Sequence, residues 1–423
     1  MSIVVQKYGG SSVADAECIR RVAARVVETQ RAGHQVCVVV SAMGDTTDEL
    51  LARAKSLSAN PPRRELDMLL SAGERIAMAL LCTAIHALGG DAISFTGSQS
   101  GIITNDRHSD ARIIEVRPFR VQDELERGRI VVVAGYQGVS YKKEVTTLGR
   151  GGSDTTAVAL AAALGAAWCE ICSDVDGVYS ADPRVVPQAR RLAQLSYEET
   201  QEMAEAGAQV LNAQAVEFAK ERGIAIYARA TMQPPPSPPP RGENSTAVAA
   251  DGGTVVRRFA PRQPGSVAAV VSERDVVMLH AAGPAAGEEL LGVLEAHGAI
   301  GKQLQLAAFN QSIADELDLL SLVLSRENLH AENVLRAELA EKFGRFVKLI
   351  DGLGAVSVIG AGINASYANL LAGGACLRDA GLAPHSAATS SFRITWLVER
   401  ARLPEAVRAL HARFIESQVA PVP

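Results

Sequence analysis

Short continuous runs of apolar residues alternate with longer amphipathic stretches over roughly the first 200 positions. An apolar run bounded by turn residues predicts a strand buried on both faces, whereas an amphipathic stretch with a period near 3.6 predicts a helix. Strands are predicted at residues 3–6, 35–41, 92–95, 130–134 and 168–172, and helices at 14–31, 49–57, 64–88 and 157–164. Strands and helices that alternate at this spacing indicate an α/β fold with a mostly parallel sheet.

The pattern changes after about residue 266 into two similar units. Each unit contains a strand, a helix, two strands and a second helix, with a closing strand nearby. The first unit is predicted at residues 276–281, 286–297, 301–308, 318–324 and 327–343, and the second at 355–360, 367–380, 383–388, 392–398 and 403–414. This order of elements predicts two ferredoxin-like βαββαβ domains.

A proline-rich stretch separates the two halves of the chain. Residues 234–245 read PPPSPPPRGENS, and prolines favour an extended, semi-rigid polyproline II conformation. We therefore predict a first domain at residues 1–232, a linker at 233–262 and a C-terminal region at 263–423. A length of 423 residues agrees with more than one hydrophobic core. A ligand for a proline-binding module is the less favoured interpretation of this stretch.

The strongest candidate for chemistry is a glycine-rich loop that leads into an apolar helix. The loop contains Gly149, Arg150, Gly151, Gly152, Ser153 and Asp154. Glycines allow backbone N–H groups to approach a ligand, and the positive end of the following helix dipole favours an anion. The Arg150 guanidinium suits a carboxylate, and Asp154 can position a metal or accept a hydrogen bond. The alternative is an ordinary glycine turn capped by Ser153 or Asp154.

Polar residues also follow the other predicted strands. The first strand runs into Lys7, Gly9 and Gly10, which suits contact with phosphate oxygens but does not fit the Walker pattern. Ser41 ends the second strand, and Thr47 follows it; the alternative role of Thr47 or Asp48 is to cap a helix. Ligands of open parallel sheets bind at the carboxyl ends of the strands, so we expect these residues to meet there.

The strand at residues 168–172 is followed by a mixture of aromatic, acidic and basic residues that is typical of a nucleotide site. Its candidates are Ser173, Asp174, Tyr179, Asp182 and Arg184. The tyrosine can lie against a base or ribose, the arginine can reach phosphates, and the carboxylates can orient water or Mg²⁺. A turn rich in aspartate and glycine is the alternative interpretation.

Composition excludes several other classes of protein. The net charge of −5 offers no excess of basic residues for nucleic acid, and no apolar run reaches the length of a membrane span, so we expect a cytoplasmic protein. Cys169 and Cys172 have the spacing of a metal or redox pair. They fall in a predicted strand, where residues three apart face opposite sides, so we expect ordinary buried thiols.

Several strings in this order carry a resemblance to a known family. They are VVQKYGGSSVAD, VVVSAMGDTTDEL, ELDMLLSAGERIAMALL, SFTGSQSGIITNDRH, TTLGRGGSDTTAVALAAAL and DVDGVYSADPR. The sequence resembles the bacterial aspartate kinases of the amino acid kinase superfamily. This implies an amino acid kinase fold, with helices on both sides of a mostly parallel sheet, followed by tandem ACT domains that make a homodimer. It also implies transfer of the γ-phosphoryl group of ATP, with Mg²⁺, to the β-carboxylate of L-aspartate, giving 4-phospho-L-aspartate for lysine, threonine and methionine biosynthesis.

The resemblance assigns roles to the candidate residues. Lys7 and Asp154 would be catalytic, and no residue is assigned as a metal ligand. The substrate would contact Ser41, Thr47, Glu74, Arg150, Gly151, Gly152 and Ser153, with Glu74 on the amino group of aspartate. The nucleotide would contact Lys7, Gly9, Gly10, Ser173, Asp174, Tyr179, Asp182 and Arg184.

The sequence departs from the family after residue 200. Gln209 replaces a lysine that contacts the ATP phosphates in the family, a loss that could cost on the order of 10³-fold in rate. This leaves two alternatives open: a kinase for another amino acid in specialised metabolism, or a catalytically impaired partner subunit. The effector-binding turns also differ, at residues 283–287 and 363–367, so weak or altered feedback inhibition by lysine and threonine is expected.

Overall fold

The computed structural model describes residues 1–149, 151–208, 211–233, 252–258, 263–282, 287–299, 301–306, 318–326, 329 and 331–417. The chain forms two compact units. The first contains residues 1–178, 191–204 and 209–260, and the second contains 179–190, 205–208 and 261–423. Arg150, Gln209 and the predicted linker at 234–245 lie outside the described residues.

The first unit consists of strands and helices in alternation. Its strands are β1 (Ile3–Tyr8), β2 (Gln35–Val40), β3 (Ala92–Phe95), β4 (Ile102–Thr104), β5 (Ile113–Val116), β6 (Ile130–Ala134), β7 (Gln137–Ser140), β8 (Val145–Thr147), β9 (Trp168–Ser173), β10 (Gln194–Leu195), β11 (Ile226–Ala230) and β12 (Thr254–Val256). Its helices are α1 (Ala16–Arg31), α2 (Thr46–Leu57), α3 (Arg63–Ala87), α4 (Phe119–Glu126), α5 (Gly152–Leu164), α6 (Tyr197–Glu205, which ends in the second unit) and α7 (Ala213–Arg222).

Among the described residues, eight strands form the main sheet in the order β10-β12-β11-β9-β1-β2-β6-β3. The neighbours from β11 to β3 are parallel, and β12 runs antiparallel to β11. The apolar runs of β1, β2 and β6 are buried on both faces, as their continuous hydrophobicity predicts. Tyr8 pairs with Val40 and with Cys172, so the carboxyl ends of three central strands are level.

Helices α1 and α3 cover one face of this sheet. Val22, Val26 and Leu81 belong to a buried cluster that also contains the inward side chains of β2 and β6. Asp15 caps α1 by accepting a hydrogen bond from Cys18 N, so the helix begins at Ala16 rather than at residue 14.

A second, smaller sheet was not predicted from the sequence. Its described strands have the order β5-β4-β7-β8 and fall between residues 102 and 147. It positions the end of β8 directly before the glycine-rich loop. Strands of three or four residues seldom produce a clear periodic pattern, and these four were not recognised.

The second unit contains β13 (Ala269–Ala282), α8 (Glu288–Ala296), β14 (Gly301–Leu306), β15 (Asp318–Ser325), α9 (Glu332–Phe343), β16 (Val347–Ile359), α10 (Ala368–Asp379), β17 (Ser386–Thr389), β18 (Arg393–Glu399) and α11 (Leu403–His411). The predicted order of elements is present, but the two predicted units share one sheet. Six described strands pair in the order β14-β15-β13-β16-β18-β17. The closing strand of the second βαββα unit is the start of β13, where Ala269 pairs with Ile359. The two predicted βαββα units are therefore joined through one continuous sheet.

Helix α3 is long and apolar enough to cross a membrane by length and composition, although the sequence contains no uninterrupted apolar run of that length. Half of its most apolar window is buried inside the protein. The helix also buries the carboxyl groups of Asp67 and Glu74. These features are typical of a core helix.

We expect Gly373→Ala to lower the free energy of unfolding by about 1–3 kcal/mol, the usual cost of overpacking a core. An added Cβ at Gly373 would lie 2.3 Å from the ring of the buried Trp396. Gly374→Ala is the matched control on the same helix, because its nearest neighbour is the flexible end of Arg378 at 3.3 Å. Urea unfolding of both variants measures the difference, and equal stabilities would contradict the packing argument.

Candidate active site

The carboxyl edge of the main sheet collects most of the predicted site residues of the first unit. Lys7 lies one residue before the end of β1, and Ser41 and Ser173 stand at the ends of the two strands that flank it. This agrees with the rule that open parallel sheets bind ligands at their carboxyl ends.

Lys7 and Asp154 form the charged centre of this edge. Lys7 Nζ lies 2.7 Å from Oδ1 of Asp154, and their side chains are only 12% and 10% exposed. The contact is an ion pair rather than a well-aligned hydrogen bond, since no described residue donates to Oδ1 in hydrogen-bonding geometry. The ion pair keeps the Lys7 ammonium at this edge of the sheet, where its N–H groups can donate to an arriving anion.

The glycine-rich loop bends sharply into α5. Gly149 and Gly151 both have φ of +72°, a conformation that side chains with a Cβ rarely adopt. Helix α5 begins at Gly152, with Gly151 at the N-cap position and no side-chain cap. The alternative in which Ser153 or Asp154 merely caps the helix is therefore wrong.

The backbone of this loop is partly committed to its own hydrogen bonds. Gly152 N donates to Gly149 O, and Asp154 N donates to Gly151 O. The helix dipole still places its positive end here. Ser153 is buried against Gly135, where an added Cβ would come within 2.8 Å of the serine side chain. The loop therefore sits tightly against the end of β6.

The Gly9-Gly10 turn brings β1 close to the loop after β2. Gly9 N donates to Cys172 O, and a Cβ on Gly9 would lie 3.6 Å from Lys7 Nζ. A Cβ on Gly10 would lie 2.9 Å from the carbonyl oxygen of Ala42. Only glycine allows this approach without a shift of the backbone. The predicted phosphate turn is therefore adjacent to Lys7.

Glu74 is the most perturbed carboxylate of the site. It is 2% exposed, and its Oε1 accepts a hydrogen bond from Ala42 N. Within the described residues, Oε2 is buried and has no hydrogen-bond donor. Burial raises the pKa of Glu74 to about 7, against the lowering effect of its backbone hydrogen bonds. A buried carboxylate with one open oxygen suits a ligand that brings a positive charge.

Ser41 and Thr47 are both partly buried after β2. Ser41 N donates to Tyr8 O, which ties this loop to β1. Helix α2 begins at Thr46 and has no side-chain cap, so neither Thr47 nor Asp48 caps it. Their proposed capping role is wrong, and the Thr47 hydroxyl is not used for that purpose.

Ser173 and Asp174 line an open cavity of about 180 Å³ together with Ser12 and Thr231. Thr231 Oγ1 donates to Ser173 O and lies 2.6 Å from Ser12 Oγ. Arg25 donates to Thr231 O at 2.5 Å and pairs with the fully buried Glu170 at 2.6 Å. A buried ion pair therefore supports the cavity wall, and sequence reasoning missed it because its partners are 145 residues apart.

Tyr179, Asp182 and Arg184 belong to the second unit. Arg184 makes a bidentate contact with Asp182, at 3.1 and 2.9 Å, while its side chain remains 86% exposed. The arginine holds the pKa of Asp182 below its usual range. The predicted nucleotide residues thus form two groups. One group lies in the first unit, at residues 7–10 and 173–174, and the other lies in the second unit, at residues 179–184.

Two further polar residues support the site and escaped prediction. Asn212 caps α7 and accepts a hydrogen bond from Thr155 Oγ1. A Cβ added to Gly151 would lie 2.9 Å from the side chain of Asn212. Asp67 is fully buried and accepts hydrogen bonds from Thr147 Oγ1 at 2.6 Å and from Ser109 N. A buried acid in an apolar helix was the available signal for Asp67.

Cys169 and Cys172 are buried free thiols, as expected. Burial raises the pKa of Cys172 to about 12 and that of Cys169 well above its usual value. Thiols that stay protonated are poor metal ligands and poor nucleophiles.

Comparison with known proteins identifies the class of this fold and site. Residues 2–228 match the model of the amino acid kinase family, so the chain belongs to that family and is a kinase. It is 46% identical to the aspartokinase of Mycolicibacterium smegmatis and 42% identical to that of Corynebacterium glutamicum, over 98% of this chain and 96% of each relative. The chain is a member of the aspartokinase family.

A solved structure supports the same fold. The crystal structure of Escherichia coli aspartokinase III in complex with aspartate and ADP superposes with a TM-score of 0.82 at 23% identity. The match covers 97% of this chain and 99% of that one. The amino acid kinase fold followed by ACT-type elements is therefore confirmed.

Proposed function

We propose that this protein transfers the γ-phosphoryl group of ATP to the β-carboxylate of L-aspartate, giving 4-phospho-L-aspartate. The observation that carries the choice of acceptor is the buried carboxylate of Glu74, whose Oε2 has no donor among the described residues. An amino acid brings the ammonium group that would pair with it. The full-length similarity to aspartokinases favours aspartate over another acceptor.

Phosphoryl transfer to a carboxylate brings two anions together, so catalysis consists mainly of positioning and charge neutralisation. Lys7 neutralises charge on the transferring group, and Asp154 holds its ammonium in place at 2.7 Å. The N-terminus of α5 adds the positive end of its dipole. Arg150 of the loop would bind the α-carboxylate of the substrate, with Ser41, Thr47 and Ser153 as neutral hydrogen-bonding groups.

Mg²⁺ is the second proposed cofactor, and the donor set fits its usual mode of binding. The described residues contain no cluster of three or more acidic, histidine or cysteine side chains. Nucleotide-bound Mg²⁺ needs only one or two carboxylates, with phosphates and water as its other ligands. Asp154 and Asp174 are the carboxylates that would hold it. When bound, the ion would neutralise phosphate charge.

The nucleotide would lie along Gly9, Gly10, Ser173 and Asp174, with Tyr179, Asp182 and Arg184 as further contacts. The supporting observations are the close approach of the Gly9-Gly10 turn to Lys7 and the open cavity lined by Ser173 and Asp174. Phosphates prefer such glycine turns because the backbone can approach them.

The wider setting follows from the family. We propose a cytoplasmic enzyme at the entry to lysine, threonine and methionine biosynthesis, assembled as a homodimer through the C-terminal unit. β14 and β17 are the edge strands of the described six-stranded sheet, and an edge strand is a common place for pairing with a second chain. A partner subunit without activity has less support, because similarity extends through the whole chain.

The decisive experiment measures aspartate-dependent ADP release by the purified protein with Mg-ATP, beside a Gln209→Lys variant. We expect turnover by the wild-type protein and a further gain in the variant, because the added ammonium would contribute charge near the phosphates. An acceptor screen with other amino acids tests specificity.

Each outcome separates the candidate functions. A silent wild-type protein whose activity is restored by lysine at position 209 would indicate an impaired kinase scaffold. Turnover with another amino acid but not with aspartate would indicate a kinase for a different acceptor.

A further inference from the structure

The segment at residues 179–190 folds as part of the second unit, although it follows β9 of the first. Ala181 and Val186 are buried in the same hydrophobic cluster as Trp396, Leu410 and Phe414. Val270 N of β13 donates to Ser180 O at 2.7 Å. The segment that carries Tyr179, Asp182 and Arg184 is therefore held by the core of the second unit.

A buried polar chain fixes the centre of this segment. Ser180 Oγ accepts a hydrogen bond from Arg190 N at 2.9 Å and lies 3.0 Å from Nε2 of His411. His411 Nδ1 lies 2.9 Å from Oε1 of Glu416. A carboxylate only accepts, so Nδ1 of His411 donates to Glu416, and the Ser180 hydroxyl is hydrogen-bonded to Nε2. Each hydrogen bond of the chain thus has a donor and an acceptor.

The contact between His411 and Glu416 depends on an unusual turn. Helix α11 ends at His411 and continues as a π-helical turn, Ala412–Glu416, in which Ser417 N donates to Ala412 O. Residues five apart stack on one face of a π-helix, whereas in an α-helix they point in different directions. The π-turn therefore lets Glu416 orient the ring of His411.

Serine, histidine and glutamate in this order resemble a hydrolytic triad. Ser180 is only 1% exposed and His411 is 0% exposed. No substrate reaches a hydroxyl buried to this degree, and the Ser180 oxygen already accepts from Arg190 N. The arrangement therefore holds the segment and performs no chemistry of its own.

We infer that His411, oriented by Glu416, is a positioning residue for nucleotide binding, acting through Ser180 on the segment at residues 179–190. This inference rests on the proposed function, in which Tyr179 and Arg184 contact ATP. Through this segment, helix α11 of the second unit would influence nucleotide affinity without contacting the nucleotide. The proposed neutralisation of phosphate charge by Lys7 does not depend on His411.

Two substitutions at one position test the inference. A glutamine amide reaches the place of Nε2, whereas an asparagine amide reaches only that of Nδ1, so His411→Gln can keep the bond to Ser180 and His411→Asn loses it. We expect His411→Asn to raise KM for ATP about tenfold, equivalent to 1.4 kcal/mol. Its kcat and its KM for aspartate should change less than twofold, and His411→Gln should remain within threefold of the wild type.

Ser180→Ala removes the same bond from the other side and should match His411→Asn. His297→Asn is the control, because His297 also pairs with a glutamate in the second unit, Glu338 at 2.7 Å, but belongs to a different part of it. Titration of each variant with Mg-ADP in a calorimeter gives affinity without turnover.

Equal effects of His411→Asn and His411→Gln, or unchanged ATP affinity in both His411→Asn and Ser180→Ala, would overturn the inference. If the variants lose ATP affinity only because they unfold, as judged by circular dichroism, the role of His411 is purely structural. That result would also overturn the inference. Absence of ATP and aspartate binding by the wild-type protein would instead defeat the proposed function.

Discussion

Replacing Lys7 with alanine should lower kcat by about 10³-fold, the size of effect seen when a charge that stabilises transferring phosphate is removed. The side chain is almost enclosed and lies 2.7 Å from Asp154, so no water-exposed lysine can take its place. Coupled measurement of ADP release at saturating ATP and aspartate gives the value. Lys142→Ala is the matched control, since that lysine is 74% exposed, and it should change kcat less than twofold.

The same variant should also lose stability, because the nearly buried carboxylate of Asp154 is left without its partner. We expect a loss of about 3 kcal/mol, within the range for breaking a buried ion pair. Adding Asp154→Asn removes the unpaired charge and should recover most of the stability without recovering activity. Wild-type turnover in either variant would contradict the role of Lys7, whatever the stabilities.

The central parallel strands of the main sheet could be predicted from the sequence because they are continuous apolar runs that end in polar loops, although their order in the sheet could not. Lys7 and Ser41 were predicted to meet for this reason, and the structure places them at neighbouring strand ends, with Ser173 at the end of the strand on the other side of β1. Residues that support the site through contacts distant in the sequence could not be predicted. Arg25 and Asn212 occupy ordinary positions in helical patterns, and only folding brings them to Glu170 and to Gly151.

The C-terminal sheet shows a different limit. The run of β13 is interrupted by Ser272, Glu273, Arg274 and Asp275, so its pattern predicts a strand only from residue 276. The structure continues the strand through this polar stretch with irregular pairing to β16. Pairing with a partner some 80 residues away overrides the local pattern. The merging of two domains into one sheet is a tertiary effect of that kind.

The environment of Glu74 predicts a pH dependence in aspartate binding. In the free enzyme its pKa is near 7, so the carboxylate that would pair with the substrate ammonium is protonated at lower pH. We expect kcat/KM for aspartate to fall about tenfold per pH unit below that value. Glu74→Gln should raise KM for aspartate about 10²-fold at pH 8, in line with truncation of a buried charge pair, and should flatten this part of the profile.

Although Glu74→Gln should weaken aspartate binding, we expect the same substitution to increase the free energy of unfolding. The folded-state pKa of Glu74 lies above its unfolded value of about 4.5, so the folded protein keeps a proton that the unfolded chain loses. The free energy of unfolding therefore falls as pH rises through this window, by about 3 kcal/mol in all. Glutamine carries no charge and escapes this loss.

Urea unfolding should show Glu74→Gln more stable than the wild type at pH 8, with a smaller difference at pH 5. Glu65→Gln, an exposed change on the same helix, should alter neither stability nor KM appreciably. A variant that binds aspartate poorly and yet gains stability would show that the buried charge is kept for binding rather than for folding. Loss of both properties together would mean that Glu74 serves the fold, and the acceptor site would then have to be sought elsewhere.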